Sequence, residues 1–354
     1  MQASKMSATI YNYKKEFTLE SGKSLPELEI AYHTYGNFVP GKSKVVWVCH
    51  ALTANSDVFD WWKGLFGSAD LYNPDEYFIV CDNILGSFYG TTGAASINTQ
   101  TGKPYFLGFP LITVRDMVKA HQVLAQHLAI ENIHTVIGGS LGGHQAIEWC
   151  IMEPQRIEHL VAIATNALHS PWGIAFRESQ RMALEADSTF RTNDLNAGQK
   201  GLKAARAIAL LSYRNYTAYQ QSQSEETNEN TDNYRASSYQ NYQGQKLVKR
   251  FNAHVYWYLS KAMDTHNVGR GRKSVIAALA SIKAKTLSVG ITSDILFPVN
   301  EQAFLAEHIP GSVFKKIDSL YGHDGFLLET KQLTNTLNEF YKKTNVTLSV
   351  VEGQ

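Results

Sequence analysis

Residues 138–143 read Gly-Gly-Ser-Leu-Gly-Gly, and this stretch decides the fold class. It follows the apolar run His-Thr-Val-Ile at 134–137 and precedes a helix-like run at 144–149, so it predicts a turn from a strand into a helix. Glycines around Ser140 suit such a sharp turn, because a side chain there would collide with the neighbouring strand or helix. The stretch predicts a serine hydroxyl presented as a nucleophile, although a glycine-rich turn without chemistry fits the same letters.

Apolar runs elsewhere predict an open α/β sheet, mostly parallel, with helices on both faces. Residues 45–49 and 77–81 are continuously apolar, which is typical of strands buried on both faces of a parallel sheet. Near the start, residues 17–19 and 28–32 predict an antiparallel hairpin around residues 21–23. Further strands are predicted at 134–137, 160–164, 286–291 and 312–317, and helices at 116–128 and 145–151.

The strand pattern stops between residues 171 and 273. This segment contains helix-like stretches at 176–186, 201–213 and 245–263. The tract 220–233 has no apolar residue, so we expect a mobile surface loop there. We therefore predict an α/β-hydrolase catalytic core formed by residues 1–166 and 274–354, interrupted by a helical lid at residues 167–273.

Composition disfavours several classes of function. The chain has 354 residues, 18% of them charged, and a formal net charge of +1, so nothing favours a nucleic acid or a membrane as partner. Cys49, Cys81 and Cys150 lie in apolar runs and are predicted to be buried thiols of a reducing compartment. The sequence shows neither a signal-peptide pattern nor a run of membrane-spanning length, and we expect a cytoplasmic protein.

Motifs for other chemistry are missing from the sequence. It has no phosphate loop, no complete dinucleotide fingerprint and no paired-histidine metal motif, so we expect no metal and no permanently bound cofactor. A short basic turn, Gly-Arg-Gly-Arg-Lys, occupies residues 269–273. It fits a solvated helix start, and a contact to an anionic donor is the alternative.

A base and an acid follow Ser140 in the order that an activated serine needs in an α/β-hydrolase fold. Asp294 comes after the predicted strand 286–291, and His323 comes after the last predicted strand. A serine hydroxyl becomes nucleophilic when a histidine takes its proton and a carboxylate orients that histidine. The alternative for Asp294 is a helix N-cap, and His323 is one of twelve histidines, so its position alone singles it out.

Acyl chemistry also requires donors to the developing oxyanion. The backbone N–H after the nucleophile belongs to Leu141, and a second donor usually comes from the loop after an early core strand. Residues 50–55 form that loop, and Leu52 is the predicted donor. Spacing alone does not separate Leu52 from Ala51, and an ordinary connection is the alternative.

Several separate blocks resemble the homoserine O-acetyltransferase family of the α/β-hydrolase superfamily. The resemblance runs from about residue 14 to residue 340 and does not depend on the serine motif alone. Because several blocks occur in the right order, it is more specific than any single motif. The matching blocks are residues 49–53, 93–104, 112–118, 242–246 and 321–327.

The resemblance implies acetyl transfer from acetyl-CoA, a co-substrate, to homoserine in methionine biosynthesis by a ping-pong mechanism. Ser140 would carry the acetyl group, and His323, oriented by Asp294, would deprotonate the homoserine hydroxyl. The resemblance also implies a homodimer through the lid helices. A lid that excludes water would favour transfer over hydrolysis.

The resemblance further implies a clamp for a zwitterionic acceptor. Arg206 would bind its carboxylate with Tyr213 nearby, and Asp324 would bind its amine. A zwitterion requires one cation and one anion at a fixed separation, which agrees with this set. The alternatives are that Arg206 is a surface helix charge and that Asp324 makes a local turn.

Some residues depart from the family pattern. Residues 93–96 lack the usual proline, residues 86–90 carry two aromatics, and His144 stands where methionine is common. These changes bear on the acyl pocket, so succinyl transfer stays open beside acetyl transfer. Serine as acceptor, a carboxylesterase and a non-catalytic binding module also stay open.

Overall fold

The computed structural model describes the backbone of residues 7–351 and the side chains of residues 7–344. The strands in this part of the chain are β1 (Thr9–Tyr13), β2 (Phe17–Thr18), β3 (Ser24–Leu25), β4 (Leu28–Tyr35), β5 (Lys44–Cys49), β6 (Tyr77–Asp82), β7 (Ile97–Asn98), β8 (Lys103–Pro104), β9 (Ile133–Gly139), β10 (Ile157–Ile163), β11 (Lys285–Ile291) and β12 (Val313–Ile317). The α-helices are α1 (Val58–Trp61), α2 (Val114–His127), α3 (Leu141–Met152), α4 (Pro171–Glu185), α5 (Gln199–Tyr213), α6 (Tyr216–Gln223), α7 (Arg235–Val248), α8 (Ala253–Asp264), α9 (Val275–Ala280), α10 (Val299–His308), α11 (Gly325–Leu328) and α12 (Thr330–Val351).

Eight strands form one sheet in the order β1-β4-β6-β5-β9-β10-β11-β12. From β6 to β12 every neighbouring pair is parallel, and β4 joins β1 and β6 antiparallel. The predicted mostly parallel sheet is confirmed. Because β9, β10, β11 and β12 run side by side, the loops at their carboxyl ends meet at one edge.

The predicted hairpin is wrong. Residues 17–18 pair with Ser24 and Leu25 in a small separate ribbon, whose turn is closed by the Leu19 N–H donating to the Lys23 carbonyl at 2.8 Å. Strand β4 instead pairs with β1 and β6. Pro26 ends the ribbon because it has no N–H to donate. Strand β1 was missed, since its residues are mostly exposed and give little apolar signal.

Two apolar layers cover the sheet. Along β5, Val45 and Trp47 belong to one buried cluster, whereas Val46 and Val48 belong to the other, as the two-residue period of a strand requires. Helices α2 and α3 contribute to the first layer, and α1 and α12 contribute to the second. Helices therefore lie on both faces, as predicted. Among the described residues, no helix is both long and apolar enough to cross a membrane.

Helices α4 to α8 lie between β10 and β11, within the segment predicted as the lid. The predicted helix 245–263 is in fact two helices, α7 and α8, because the Asn252 side chain accepts from the Val255 N–H and starts a new helix. Part of the predicted loop is also helical, since residues 220–223 belong to α6, which Asn215 caps in the same way. The rest of that tract lies outside the helices.

Candidate active site

Ser140 lies between the last residue of β9 and the first residue of α3. Its backbone has φ 58° and ψ −125°, a conformation that side-chain-bearing residues rarely adopt. The Ser140 N–H donates to the Ile163 carbonyl at 3.0 Å, and Thr165 Oγ1 donates to the Ser140 carbonyl at 2.9 Å. These contacts hold the strained turn that the glycine-flanked serine predicts.

Two neighbouring glycines show why the turn tolerates no side chain. A Cβ atom on Gly142 would overlap the Cys49 carbonyl oxygen, because α3 begins directly against the end of β5. A Cβ atom on Gly139 would lie 2.5 Å from the Phe326 ring. Crowding at these two positions confirms the steric requirement predicted from the sequence.

Asp294 and His323 are joined by a short hydrogen bond at the edge where β11 and β12 end. His323 Nδ1 lies 2.6 Å from Asp294 Oδ2, and both side chains are buried. Asp294 Oδ1 accepts the N–H groups of Leu296 and Phe297 at 2.8 and 2.9 Å. Asp294 thus closes a turn and orients the histidine at once. It is not a helix N-cap, because α10 begins at Val299 and its N-cap is Pro298. The imidazole is left with Nε2 as its free basic atom.

The histidine loop packs against the serine turn. Phe326, beside Gly139, makes an edge contact with the His323 ring at a centroid distance of 5.4 Å. The Phe297 ring stacks on His323 at 5.2 Å and 27°. Within residues 7–344, no hydrogen bond joins Ser140 Oγ to His323. Such bonds are commonly long before substrate binds, so the absence of this bond does not exclude proton transfer from Ser140 to His323.

The two predicted oxyanion donors lie on adjacent elements. Strands β5 and β9 pair with Cys49 opposite Gly138, which brings the loop carrying Leu52 beside the first turn of α3. Gln145 ties them together, because its Nε2 donates to the Leu141 carbonyl at 3.0 Å and to the His50 carbonyl at 3.3 Å. Leu141 is the first residue of α3, so its N–H has no partner within the helix.

His50 fixes the start of the oxyanion loop. Its Nδ1 donates to the Ala51 carbonyl at 2.8 Å, and its Nε2 accepts the Ile84 N–H at 3.0 Å. Burial lowers the pKa of His50 to about 4, so the ring is neutral near pH 7 and holds one tautomer. The sequence pattern alone gives His50 no role.

Arg206 and Tyr213 lie on the lid helix α5, facing the histidine loop. The Arg206 guanidinium carbon lies 5.4 Å from the centre of the Tyr213 ring, whose centroid is 5.6 Å from that of His323. In the described part of the chain, Arg206 forms no ion pair. It is half-buried, so the surface-charge alternative is disfavoured. The geometry places an uncompensated cation near the proposed base.

Asp324 has a partner that the sequence did not reveal. Its carboxylate lies 3.2 Å from Arg214 Nη2, and both side chains are about one-fifth exposed. Gly322, at φ 61°, lies against the Tyr213 carbonyl, so the end of α5 docks on the histidine loop. An amine bound to Asp324 therefore competes with Arg214. In the sequence, the only indication that Arg214 belongs to the site was its position next to Tyr213.

The basic turn at 269–273 is engaged in ion pairs. Arg270 pairs with Glu20 at 2.8 Å, and Arg272 pairs with Glu148 at 2.5 Å. Neither interpretation from the sequence anticipated these contacts, because both carboxylates are distant along the chain. These two ion pairs connect the C-terminal end of the lid segment to the core.

A candidate metal-binding group lies elsewhere. Ligand atoms of His134, Glu158 and His159 lie within 4.8 Å of one another near the amino ends of β9 and β10. None of the three was predicted as a site residue.

Comparison with known proteins agrees with this geometry. The family model described as alpha/beta hydrolase fold matches residues 44–330. The homoserine O-acetyltransferase of Cyclobacterium marinum is 47% identical over 340 residues, which cover 96% of this chain and 97% of that protein. The chain belongs to the homoserine O-acetyltransferase family. It is therefore an enzyme of the acyltransferase class.

Solved structures show how widely the fold of this homoserine O-acetyltransferase family member is shared. The homoserine O-acetyltransferase of Bacillus anthracis superposes with a TM-score of 0.87 at 22% identity, covering 95% of this chain and 98% of that one. Esterase E22 superposes with a TM-score of 0.86, also at 22% identity, covering 94% and 99%. The fold alone does not distinguish an acyltransferase from an esterase. The distinction must come from the residues that bind the acceptor.

One further residue of this family member was not predicted from the sequence. Arg177, on α4, is 1% exposed, and its Nη1 lies 3.3 Å from Tyr213 Oη. It shares the inward face of α4 with Gly173, Gln180 and Leu184, at helical spacing. An arginine is seldom buried, and nothing in the sequence singled out Arg177.

Proposed function

We propose that this enzyme transfers an acetyl group from acetyl-CoA to the hydroxyl of L-homoserine through an acyl-enzyme on Ser140. The observation that carries the proposal is the contact of Arg206 with the Tyr213 ring, which itself contacts His323. This contact sets a cation that has no ion pair among the described residues one ring away from the base. An esterase needs no such cation, whereas an amino-acid acceptor brings a carboxylate. The product would serve methionine biosynthesis, as the family resemblance implies.

The first half-reaction loads the serine. His323 Nε2 takes the proton from Ser140 Oγ while Oγ attacks the thioester carbonyl carbon. The carbonyl oxygen becomes an oxyanion, to which the N–H groups of Leu52 and Leu141 donate. The carbon–sulfur bond then breaks, and the CoA thiolate takes the proton from His323. Asp294 stabilises the imidazolium through the 2.6 Å bond to Nδ1.

The second half-reaction transfers the acetyl group to the amino acid. Arg206 binds the carboxylate of homoserine. Asp324 gives up its ion pair with Arg214 and binds the amine of homoserine instead. His323 removes the proton from the side-chain hydroxyl, whose oxygen attacks the acyl-enzyme carbonyl. Ser140 Oγ leaves and takes the proton back from His323. The product is an ester on the homoserine side-chain oxygen.

The lid favours transfer over hydrolysis. Helix α5 docks on the histidine loop through Gly322, and Arg250 links the lid to the oxyanion loop by donating to the Thr53 carbonyl at 2.6 Å. These contacts connect lid residues to the histidine loop and to the oxyanion loop. A cleft closed in this way admits a bound acceptor and limits access of water to the acyl-enzyme.

The experiment crosses acetyl-CoA and succinyl-CoA with homoserine and serine and follows release of the CoA thiol. We expect sustained release only with acetyl-CoA and homoserine. A preference for succinyl-CoA or for serine would shift the assignment within the family. Sustained release that needs no amino acid would contradict the proposal and indicate a thioesterase.

We also propose that the enzyme acts as a homodimer through lid helices. Large apolar side chains stand exposed on them, with Leu211 on α5 at 53%, Tyr216 on α6 at 81% and Tyr242 on α7 at 62%. Sedimentation velocity tests this proposal, because pairing predicts a dimer that Tyr216→Asp and Tyr242→Asp convert to monomer. A monomer in the wild-type protein at micromolar concentration would contradict it.

A further inference from the structure

Arg177 is a fully buried cation without a matching anion. Its side chain is 1% exposed, and its Nε donates to no acceptor among the described residues. The carboxylate that acts on it electrostatically, Asp264, is bound to Arg181 Nη2 at 2.5 Å. Within residues 7–344, Arg177 therefore has no ion pair of its own. A buried charge left this way is unfavourable unless something compensates for it.

Gln180 offers a second free donor beside it. Its Oε1 accepts from Arg177 Nη1 at 3.3 Å and from Tyr256 Oη at 2.8 Å, which fixes the orientation of the amide. Its Nε2 is buried and donates to nothing among the described residues. Arg177 and Gln180 are joined through Nη1 and Oε1, and each also carries one buried donor without an acceptor among the described residues. A carboxylate has two oxygens that can accept such donors.

This donor pair adjoins the proposed active site. Arg177 Nη1 lies 3.3 Å from Tyr213 Oη, and the same tyrosine ring lies between Arg206, at 5.4 Å, and His323, at 5.6 Å. Two guanidinium groups therefore converge on one tyrosine next to the base. Neither forms an ion pair in the described part of the chain.

The other titratable groups around Arg177 supply no negative charge. Burial lowers the pKa of His169 to about 3, and Arg177 contributes to this lowering. Burial likewise lowers the pKa of His144 well below its usual value. Burial raises the pKa of Tyr256, so its hydroxyl is neutral near pH 7. The surroundings of Arg177 are therefore neutral or positive, apart from the Asp264 carboxylate. Its Oδ2 binds Arg181, and its Oδ1 has no hydrogen-bond partner among the described residues.

We propose that Arg177 is a second carboxylate-binding residue of the active site. This inference rests on the proposed function and names the chemistry of a further subsite. One source of the carboxylate is the acceptor amino acid. In that case Arg177 and Arg206 both bind its carboxylate, with Tyr213 between them. The other source is the distal end of a dicarboxylic acyl group such as succinyl.

The test compares Arg177→Gln with wild type on two ratios of kcat/KM. The first is homoserine over 3-aminopropan-1-ol, the same acceptor without its carboxylate. The second is succinyl-CoA over acetyl-CoA. If the acceptor is the source, the first ratio falls about 10- to 100-fold, the value of a charge-assisted hydrogen bond. If the acyl group is the source, the second ratio falls by a similar factor. If neither ratio changes, the proposal is wrong.

Controls separate this outcome from other failures. Arg191→Gln removes a charge from an exposed lid arginine and should leave both ratios unchanged. Arg177→Met replaces the buried charge with an apolar side chain, so it should raise the melting temperature while lowering the same ratio as Arg177→Gln. Thiol release from acetyl-CoA without acceptor, equal to one equivalent of enzyme, reports loading of Ser140. Its absence in the wild type would overturn the proposed function, whatever Arg177 does.

Discussion

The ring centroid of Tyr213 lies 5.6 Å from that of His323, so a lid residue touches the proposed catalytic base. The contact is held by the backbone, because Gly322 lies directly against the Tyr213 carbonyl. Helix α5 and the histidine loop therefore form one packed unit. The lid thus contributes to the position of the base as well as to the acceptor site.

Substitution at Gly322 tests this coupling. A Cβ atom there would lie 2.7 Å from the Tyr213 oxygen, at φ 61°. We expect Gly322→Ala to destabilise the protein by about 2–4 kcal/mol and to lower kcat, because His323 shifts with the loop. The matched control is Gly311→Ala, since Gly311 has φ 67° and open space around it. That variant should be destabilised by about 1–2 kcal/mol with kcat intact. Equal kcat values for the two variants would argue against the coupling.

Asp294→Asn tests the orientation of the histidine. The amide cannot hold the His323 tautomer in the same way, so we expect kcat to fall about 10³- to 10⁴-fold, as in serine triads that lose this carboxylate, with little change in fold. Steady-state kinetics and circular dichroism measure the two effects. Asp318→Asn, an exposed aspartate after β12, is the control and should keep full activity. Activity of Asp294→Asn within about tenfold of wild type would remove Asp294 from the triad.

Arg206→Ala tests the acceptor clamp. We expect kcat/KM for homoserine to fall about 10- to 100-fold, because a charge-assisted contact to the carboxylate is lost. The burst of thiol release from acetyl-CoA alone should be unchanged, since Arg206 takes no part in loading Ser140. Arg235→Ala, on an exposed lid arginine, is the control. Unchanged turnover of homoserine in Arg206→Ala would show that the clamp assignment is wrong.

Buried histidines predict sensitivity to acid. Burial lowers the pKa of His266 to about 3 and that of His144 well below 6.5, so both are neutral in the folded protein. The unfolded chain binds protons on them below pH 6.5, so their contribution to stability is complete above pH 6.5 and is lost as the pH falls. Between its unfolded-state and folded-state pKa values, each such histidine lowers the free energy of unfolding by about 1.4 kcal/mol for every pH unit of acidification.

The variant His144→Met measures how much of this acid-induced loss of stability comes from His144. Urea unfolding at pH 7 and pH 5 should show a smaller acid-induced decrease in unfolding free energy in the variant than in the wild type. An equal decrease in His144→Met and wild type would show that His144 does not bind a proton on unfolding.

The parts predicted well from the sequence are those that local chemistry determines. The turn at Ser140 is dictated by glycines whose neighbours leave no space, and the strands on both sides are continuous apolar runs. Asp294 and His323 could be placed because parallel strands bring their carboxyl ends to one edge. The family, and with it the class of enzyme, followed from several blocks in order.

The parts that failed depend on contacts between distant residues. Strand β4 pairs with β1 and not with residues 17–18, which turn chemistry alone does not show. The ion pair of Asp324 with Arg214 and the burial of Arg177 arise only when the lid packs. A charge pattern along one helix does not reveal which arginine faces inward and lacks an ion pair among the described residues.

Acetylation of Ser140 can be followed by intact-protein mass spectrometry after mixing with acetyl-CoA, before and after addition of homoserine. We expect the protein to gain the mass of one acetyl group, peptide mapping to place that group on Ser140, and homoserine to discharge it as its O-acetyl ester. Ser140→Ala should gain no mass and release no thiol. An acetylated Ser140→Ala protein, or a wild-type adduct that homoserine leaves in place, would contradict acetyl transfer through Ser140.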